Sequence, residues 1–314
     1  MRNRFADTFY ELGKADPRLC VVVADISPAG SIAKFRSEFP RRFVNTGVSE
    51  QIMIGMTAGM AQRGLKPFAY TIATFTLYRP FEMVRDDLCY QNLPVTIVGI
   101  GGGVTYSTLG ATHHAQEDVA IASAIPNLSV IAPCDPSETE AATRWCAAQE
   151  QGPVYLRLGK AGEPDLSKDA PDAWAFGKLR RLRAGRDVCI LSYGPIMKRA
   201  FAVAERFEAA GKSVAIASVH TLKPLDHKTL SEILQTFAHV VVIEECAPNG
   251  SLAMRVKELA WDAGAACRID TFTLKDAFIH CYGSHDDILN AHGLGVPEMA
   301  ARLGCNERLR VRSS

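Results

Sequence analysis

Glu50 follows Ser49 at the start of a helical stretch, where the helix dipole favours a carboxylate. Read alone, it is an exposed acid of a first turn. Phe75, Tyr78 and Phe81 lie three apart beside a helix that Pro80 is placed to start; such a row either packs a core or walls a pocket for a flat ring. His113 and His114 stand in a glycine-bounded loop, where a histidine either faces water or moves a proton near neutral pH. Arg2 and Lys160 each offer a cation to an anionic group. Asp25 ends a strand-like run and Ser27 follows it, a place where α/β sheets put site residues and where capping the next turn is the alternative.

The elements that must position these side chains alternate along the chain. Continuous apolar runs at Val21–Asp25, Val95–Ile100, Leu128–Pro133, Val154–Leu158, Val188–Ser192, Val214–Val219 and Val240–Glu244 read as strands. Helical stretches such as Glu138–Ala148 and Ile196–Ala210 fall between them. Strands of this kind belong to parallel sheets covered on both faces, so the expected class is α/β with two domains. The stretch 161–186, rich in Pro, Gly and charge, reads as the linker between domains at 1–160 and 187–314.

Thirty-five basic and 34 acidic residues leave a net charge of +1, which gives no electrostatic reason to expect nucleic acid or a membrane surface. No uncharged apolar run approaches the roughly 18 to 20 residues that cross a bilayer, and the charged amino-terminal stretch lacks a secretory core. The nine cysteines are scattered without CxxC spacing and read as buried reduced thiols, which suits a cytoplasmic protein. Generic motifs are missing: there is no GxxxxGKS/T phosphate loop, no HExxH, and Gly101-Gly102-Gly103 lacks GxGxxG spacing.

Three longer stretches go further. RFVNTGVSEQIMIGMTAGMAQRGLKPFAYTIATF (42–75), LGATHHAQED (109–118) and QGPVYLRLGK (151–160) resemble, in order and spacing, the pyrimidine-binding domain of the transketolase family. HTLKPLD (His220–Asp226) and VVVIEECAPNGSL resemble its C-terminal domain. The likeness implies a thiamine diphosphate-binding fold followed by a transketolase C-terminal domain. The family's Gly-Asp-Gly motif, which holds the metal and diphosphate, is absent from the sequence. The resemblance therefore implies a split enzyme: an N-terminal partner subunit carries thiamine diphosphate's diphosphate end with Mg2+ or Ca2+, in an α2β2 heterotetramer acting on sugars.

By the same resemblance, Glu50 matches the glutamate that hydrogen-bonds the cofactor's aminopyrimidine and favours the tautomer able to take the thiazolium proton. Phe75, Tyr78 and Phe81 match aromatic residues around that ring, and Asp25 matches an acid near the cofactor. His113 matches a histidine at the reacting carbon; His114 replaces a usual glutamine. Lys160 replaces an arginine that grips phosphate, and Arg2 and Ser27 fall near further substrate positions. Gly55 and Gly59, four apart on the Glu50 helix, suggest close approach by another backbone. Two departures bear on substrate: Leu109 replaces a hydroxyl-reading aspartate, and a phosphate-contacting histidine is missing near Gly101. The expected reaction is transfer of a two-carbon ketol unit, with a modified or unphosphorylated sugar as one partner. The alternatives are a decarboxylating enzyme of the 1-deoxyxylulose-5-phosphate synthase or 2-oxoacid dehydrogenase kind, and a non-catalytic scaffold.

Overall fold

A computed structural model describes residues 1–27 and 30–305. Its strands are β1 (Leu19–Val23), β2 (Phe43–Asn45), β3 (Lys66–Ile72), β4 (Thr96–Ile100), β5 (Ser129–Ile131), β6 (Val154–Leu158), β7 (Arg180–Arg183), β8 (Val188–Ser192), β9 (Val214–Ser218), β10 (Thr221–Lys223), β11 (His239–Ile243) and β12 (Arg268–Phe272). The first sheet has the order β10-β5-β6-β4-β3-β1-β2, parallel except for β10, which pairs antiparallel with β5. The second has the order β12-β11-β8-β9-β7, parallel except for β7. This is the two-domain α/β architecture expected, with mainly parallel sheets flanked by helices.

Alternation along each strand decides which layer each residue joins. Val21 and Val23 of β1 enter the core beneath α1 (Arg2–Ala15), α2 (Ser31–Glu38) and α7 (Pro136–Ala148), while Val22 enters the core beneath α3 (Glu50–Gln62), α4 (Ala73–Leu77) and α6 (Asp118–Ala124). Between α4 and β4 lie α5 (Phe81–Met83) and a π-helical stretch, Val84–Tyr90. In the second domain, α8 (Met197–Ala209), α11 (His285–Ala291) and α12 (Val296–Leu303) cover one face, and α9 (His227–Thr236) and α10 (Leu252–Asp262) the other.

The core beneath α3 continues without a break into the face of the second sheet that α9 and α10 cover. Polar bonds cross the same seam. Arg157 Nη2 donates to the Glu245 carbonyl at 2.9 Å, and Ser218 Oγ donates to the buried Glu138 carboxylate at 2.9 Å. Lys223 Nζ donates to the carbonyls of Ser123, at 2.9 Å, and Ile125. One element lies inside the stretch 161–186: β7, with the sequence RRLR, buries Leu182 and exposes Arg181 at the edge of the second sheet. Charge along an edge strand discourages pairing with another chain. Seven of the nine cysteines are buried thiols, Cys267 is half-buried and Cys281 exposed, and none forms a disulfide. Burial pushes the Cys189 thiol up to about 12.

Candidate active site

Most of the singled-out residues follow the carboxyl end of a strand in the first sheet: Asp25 and Ser27 after β1, Glu50 after β2, Phe75 and Tyr78 after β3, and Lys160 after β6. Loops at this edge carry ligands in α/β sheets because the strands hold them rigidly while leaving them open. The turn before α3 is built by Asn45, whose Oδ1 accepts from the N–H groups of Asp25 and Gly47, each at 3.0 Å. Thr46 Oγ1 donates to the Val23 carbonyl at 3.2 Å, tying the turn back to β1. Gly47 has φ +69°, which suits a residue without a Cβ. The chain then enters α3 with Ser49 at the cap and Glu50 as its first residue.

Glu50 is only 2% exposed, so it is not the solvent-facing first-turn acid that its local sequence suggests. Its Oε2 meets Arg79 Nη1 at 2.6 Å, and the Arg79 side chain is 41% exposed. The same guanidinium lies 4.6 Å from the Phe75 ring centroid, and the His113 ring stands edge-on to Phe75 at 5.1 Å. Glu50, Phe75 and His113, far apart in the chain, thus form one group through Arg79. Burial lowers the His113 pKa, so the ring is neutral at pH 7 and can accept a proton. Its Nδ1 lies 3.0 Å from Thr112 Oγ1, leaving Nε2 as the nitrogen open to a ligand.

Other candidates are placed differently. Tyr78 donates its hydroxyl to Glu117 Oε2 at 3.0 Å and accepts from the Glu117 N–H at 3.1 Å; burial first, then the neighbouring acids, raise its pKa. Phe81 is 39% exposed on α5. Asp25 is exposed with φ +49°, held by Asn45, and Ser27 is exposed. Arg2 and Lys160 form a second group around Tyr106: Lys160 Nζ lies 5.3 Å from its ring, and Arg2 borders its hydroxyl. His114 turns inward, 3% exposed, with both ring nitrogens unpaired.

The glycine loop has a packing explanation. A Cβ at Gly101 would meet the Tyr106 ring at 2.1 Å, at Gly102 the Arg157 side chain at 2.6 Å, and at Gly103 the Glu245 carboxylate at 2.4 Å. Three side chains from elsewhere therefore occupy the space that side chains on this loop would need. On α3, Gly55 packs against the Met83 side chain at 3.1 Å from its would-be Cβ, not against a backbone, and Gly59 faces open space. Ile52 and Met56 of α3, with Val48 just before the helix, are exposed apolar residues spaced four apart, with Val48 at 74% and Ile52 at 55% exposure. They leave an uncovered apolar stripe that starts beside Glu50.

Sequence reasoning missed Arg79, Tyr106 and Glu117. Arg79 carries a signal, a cation directly after the aromatic row. Its pairing with Glu50 depends on the turn between α4 and α5, which no local pattern encodes. Among the described residues, no cluster of three or more His, Cys, Asp or Glu side chains is arranged to hold a metal ion.

The chain matches two family profiles: transketolase, pyrimidine-binding domain, over residues 1–162, and transketolase, C-terminal domain, over residues 177–299. It is 30% identical to one subunit of an apulose-4-phosphate transketolase of Phocaeicola vulgatus over 257 residues, covering 82% of each chain. Against a 6-deoxy-6-sulfo-D-fructose transketolase subunit of a Clostridium species it is 32% identical, covering 82% of this chain and 80% of that one. A solved split-gene transketolase, in an inactive beta4 tetramer, superposes with a TM-score of 0.84 at 31% identity and 98% coverage of both chains. A buried acid, its arginine partner over an aromatic ring, and a histidine edge-on to that ring at the carboxyl edge of the first sheet thus belong to a chain of the transketolase family, the C-terminal subunit of a split transferase.

Proposed function

We propose that this chain supplies the pyrimidine-binding half of a thiamine diphosphate site and, with an N-terminal partner, moves a two-carbon ketol unit from a ketose to an aldehyde. The observation that carries this reading is Glu50, a carboxylate 2% exposed whose charged neighbour, Arg79, approaches from the open side. A flat aminopyrimidine needs an acid at one edge and an aromatic surface at its face, and Glu50 and Phe75 suit that need. When bound, the cofactor supplies a carbon nucleophile and an electron sink for cleavage next to a carbonyl.

In this reading Glu50 shares a proton with a ring nitrogen of the pyrimidine, Arg79 swings aside to admit the ring, and Phe75, Tyr78 and Phe81 border it. Asp25 stands at the rim of the same edge. Neutral His113 gives and takes a proton at the substrate's carbonyl or hydroxyl oxygen. Lys160 and Arg2, on two sides of Tyr106, neutralise an anionic substrate end, with Ser27 and His114 as the further substrate-side positions. The relatives named for apulose 4-phosphate and for 6-deoxy-6-sulfo-D-fructose support an unusual sugar here, as Leu109 in place of an aspartate does. The uncovered stripe of α3 is the surface for the partner, which brings the diphosphate ligands and Mg2+ or Ca2+ into an α2β2 assembly in the cytoplasm.

The test is the reconstituted pair with ketose donors, and with pyruvate as the control for a decarboxylating reaction. Glu50→Gln is expected to lower kcat by about 10²- to 10⁴-fold while the pair still assembles. Unchanged turnover in that variant would sink the reading and leave a scaffold.

A further inference from the structure

We propose that Glu245 and His285, both from the second domain, are positioning residues for His113, acting through the glycine loop; the proposal rests on the reading of His113 as an active-site group. Glu245 follows β11 and is 1% exposed, yet it projects across the seam into the first domain. Its Oε1 accepts from the Val104 N–H at 2.6 Å and lies 2.9 Å from His285 Nε2. The same carboxylate fills the space beside Gly103 that any side chain there would take.

From Gly103 the connection to His113 is short. Gly103 and Ala115 form an antiparallel bridge: the Ala115 N–H donates to the Gly103 carbonyl at 2.7 Å, and the Gly103 N–H to the Ala115 carbonyl at 3.1 Å. Ala115 lies two residues after His113, and the segment leading into His113 makes its own turn, the His113 N–H donating to the Gly110 carbonyl at 2.9 Å. Arg157 braces the other side of the bridge. Its Nη2 donates to the Glu245 carbonyl at 2.9 Å, and its Nε to Asp118 Oδ2 at 2.7 Å. The histidine segment is thus fastened at one end to a carboxylate that belongs to the other domain.

His285 completes the anchor because its Nε2 fixes which way the carboxylate turns. Burial works against a charged ring there, but Glu245 and then Asp286 outweigh it and raise the His285 pKa, while Arg199 opposes them. On the Glu245 side, burial favours the protonated acid, but His285, Arg157 and the Val104 N–H outweigh it and hold the carboxylate charged. The other two rings near this carboxylate are kept neutral by burial: His114, and His292 at about 4. Neither takes the place of His285 against the Glu245 carboxylate.

The experiment compares the wild-type chain with His285→Ala and His285→Gln, the latter keeping a donor on the side chain. In the chain by itself, amide hydrogen exchange across residues 103–117 is expected to quicken by about tenfold or more in His285→Ala and to return towards wild type in His285→Gln. In the complex with the N-terminal partner, His285→Ala is expected to lower kcat by about 10²-fold, with the donor KM and the affinity for thiamine diphosphate unchanged. Glu245→Gln gives a second variant with the same expected split. Unaltered exchange in the segment, or a loss that falls on KM and cofactor affinity instead of kcat, would overturn the proposal. Faster exchange in the variant chain, paired with a wild-type complex that lacks ketol transfer, would support the anchor and overturn the functional reading.

Discussion

Glu50 and Arg79 make a pair in which one partner is buried and the other is not, and the unequal exposure tells how the pair behaves. The guanidinium closes Glu50 off from the open side, so water can take its place beside the carboxylate, and replacing it is expected to cost about 1 kcal/mol or less. Arg79→Ala should therefore leave the urea midpoint of the chain nearly unchanged, and a large fall would mean that the pair is structural. His113→Asn is expected to remove about 10²-fold or more of kcat in the complex while melting of the chain stays put, because its ring is only half-buried. A third residue speaks to pH. Burial first, and then Arg180, pull His220 from 6.5 down to about 3. The unfolded chain takes up a proton near 6.5 that the folded chain refuses, so stability present above that pH drains away as pH falls towards about 3. At about pH 5 this ring alone costs about 2 kcal/mol. The urea midpoint should fall between neutral pH and pH 5, and His220→Asn should flatten that slope; an unchanged slope would refute the assignment. None of these three environments is visible locally: Glu50 reads as an exposed first-turn acid, and nothing beside His220 in sequence announces its stacking 4.9 Å from Trp174.

Among elements, those whose character lies in their own residues were legible. β6 and β8 are largely apolar runs, Arg157 being the one charge in β6, and their bounds match the sequence reading. β3 and β7 were hidden by charge. β3 opens with Lys66, whose amine donates to the Ala147 carbonyl at 2.8 Å at the carboxyl end of α7, a favourable place for a cation. β7 alternates arginines with a single leucine. Sequence reading finds strands in which apolar residues predominate, even with one charge as in β6, and it passes over strands that open on a charge or alternate charges along their length. The glycine loop is the opposite case, conspicuous in sequence but explained only by what surrounds it. Gly103→Ala should cost about 2 kcal/mol or more, since φ is +68° and the new methyl would meet Glu245 at 2.4 Å. Urea unfolding checks this, and a neutral result would mean that the carboxylate yields freely.

At the scale of the molecule, the two domains share one apolar core and a buried ion pair near their seam. Arg157 and Asp118 are 1% and 0% exposed, and the Tyr155 hydroxyl also donates to Asp118 at 2.8 Å. Removing the arginine leaves a buried carboxylate without its counterion, so Arg157→Met should cost about 3 to 5 kcal/mol, and adding Asp118→Asn should recover part of that loss. Denaturation of the single and double variants decides the matter; additive losses would mean that the two residues act apart. One feature reaches beyond the chain itself. α3 begins with the buried acid, and Val48 just before it with Ile52 and Met56 on its outer flank stay exposed among the described residues. In the proposed function, recognition of a companion and readiness for reaction sit on one rod, so a tilt of that rod alters both together. On that reading, loops at the rim could be edited for a new sugar alone, whereas a new companion would also shift the acid.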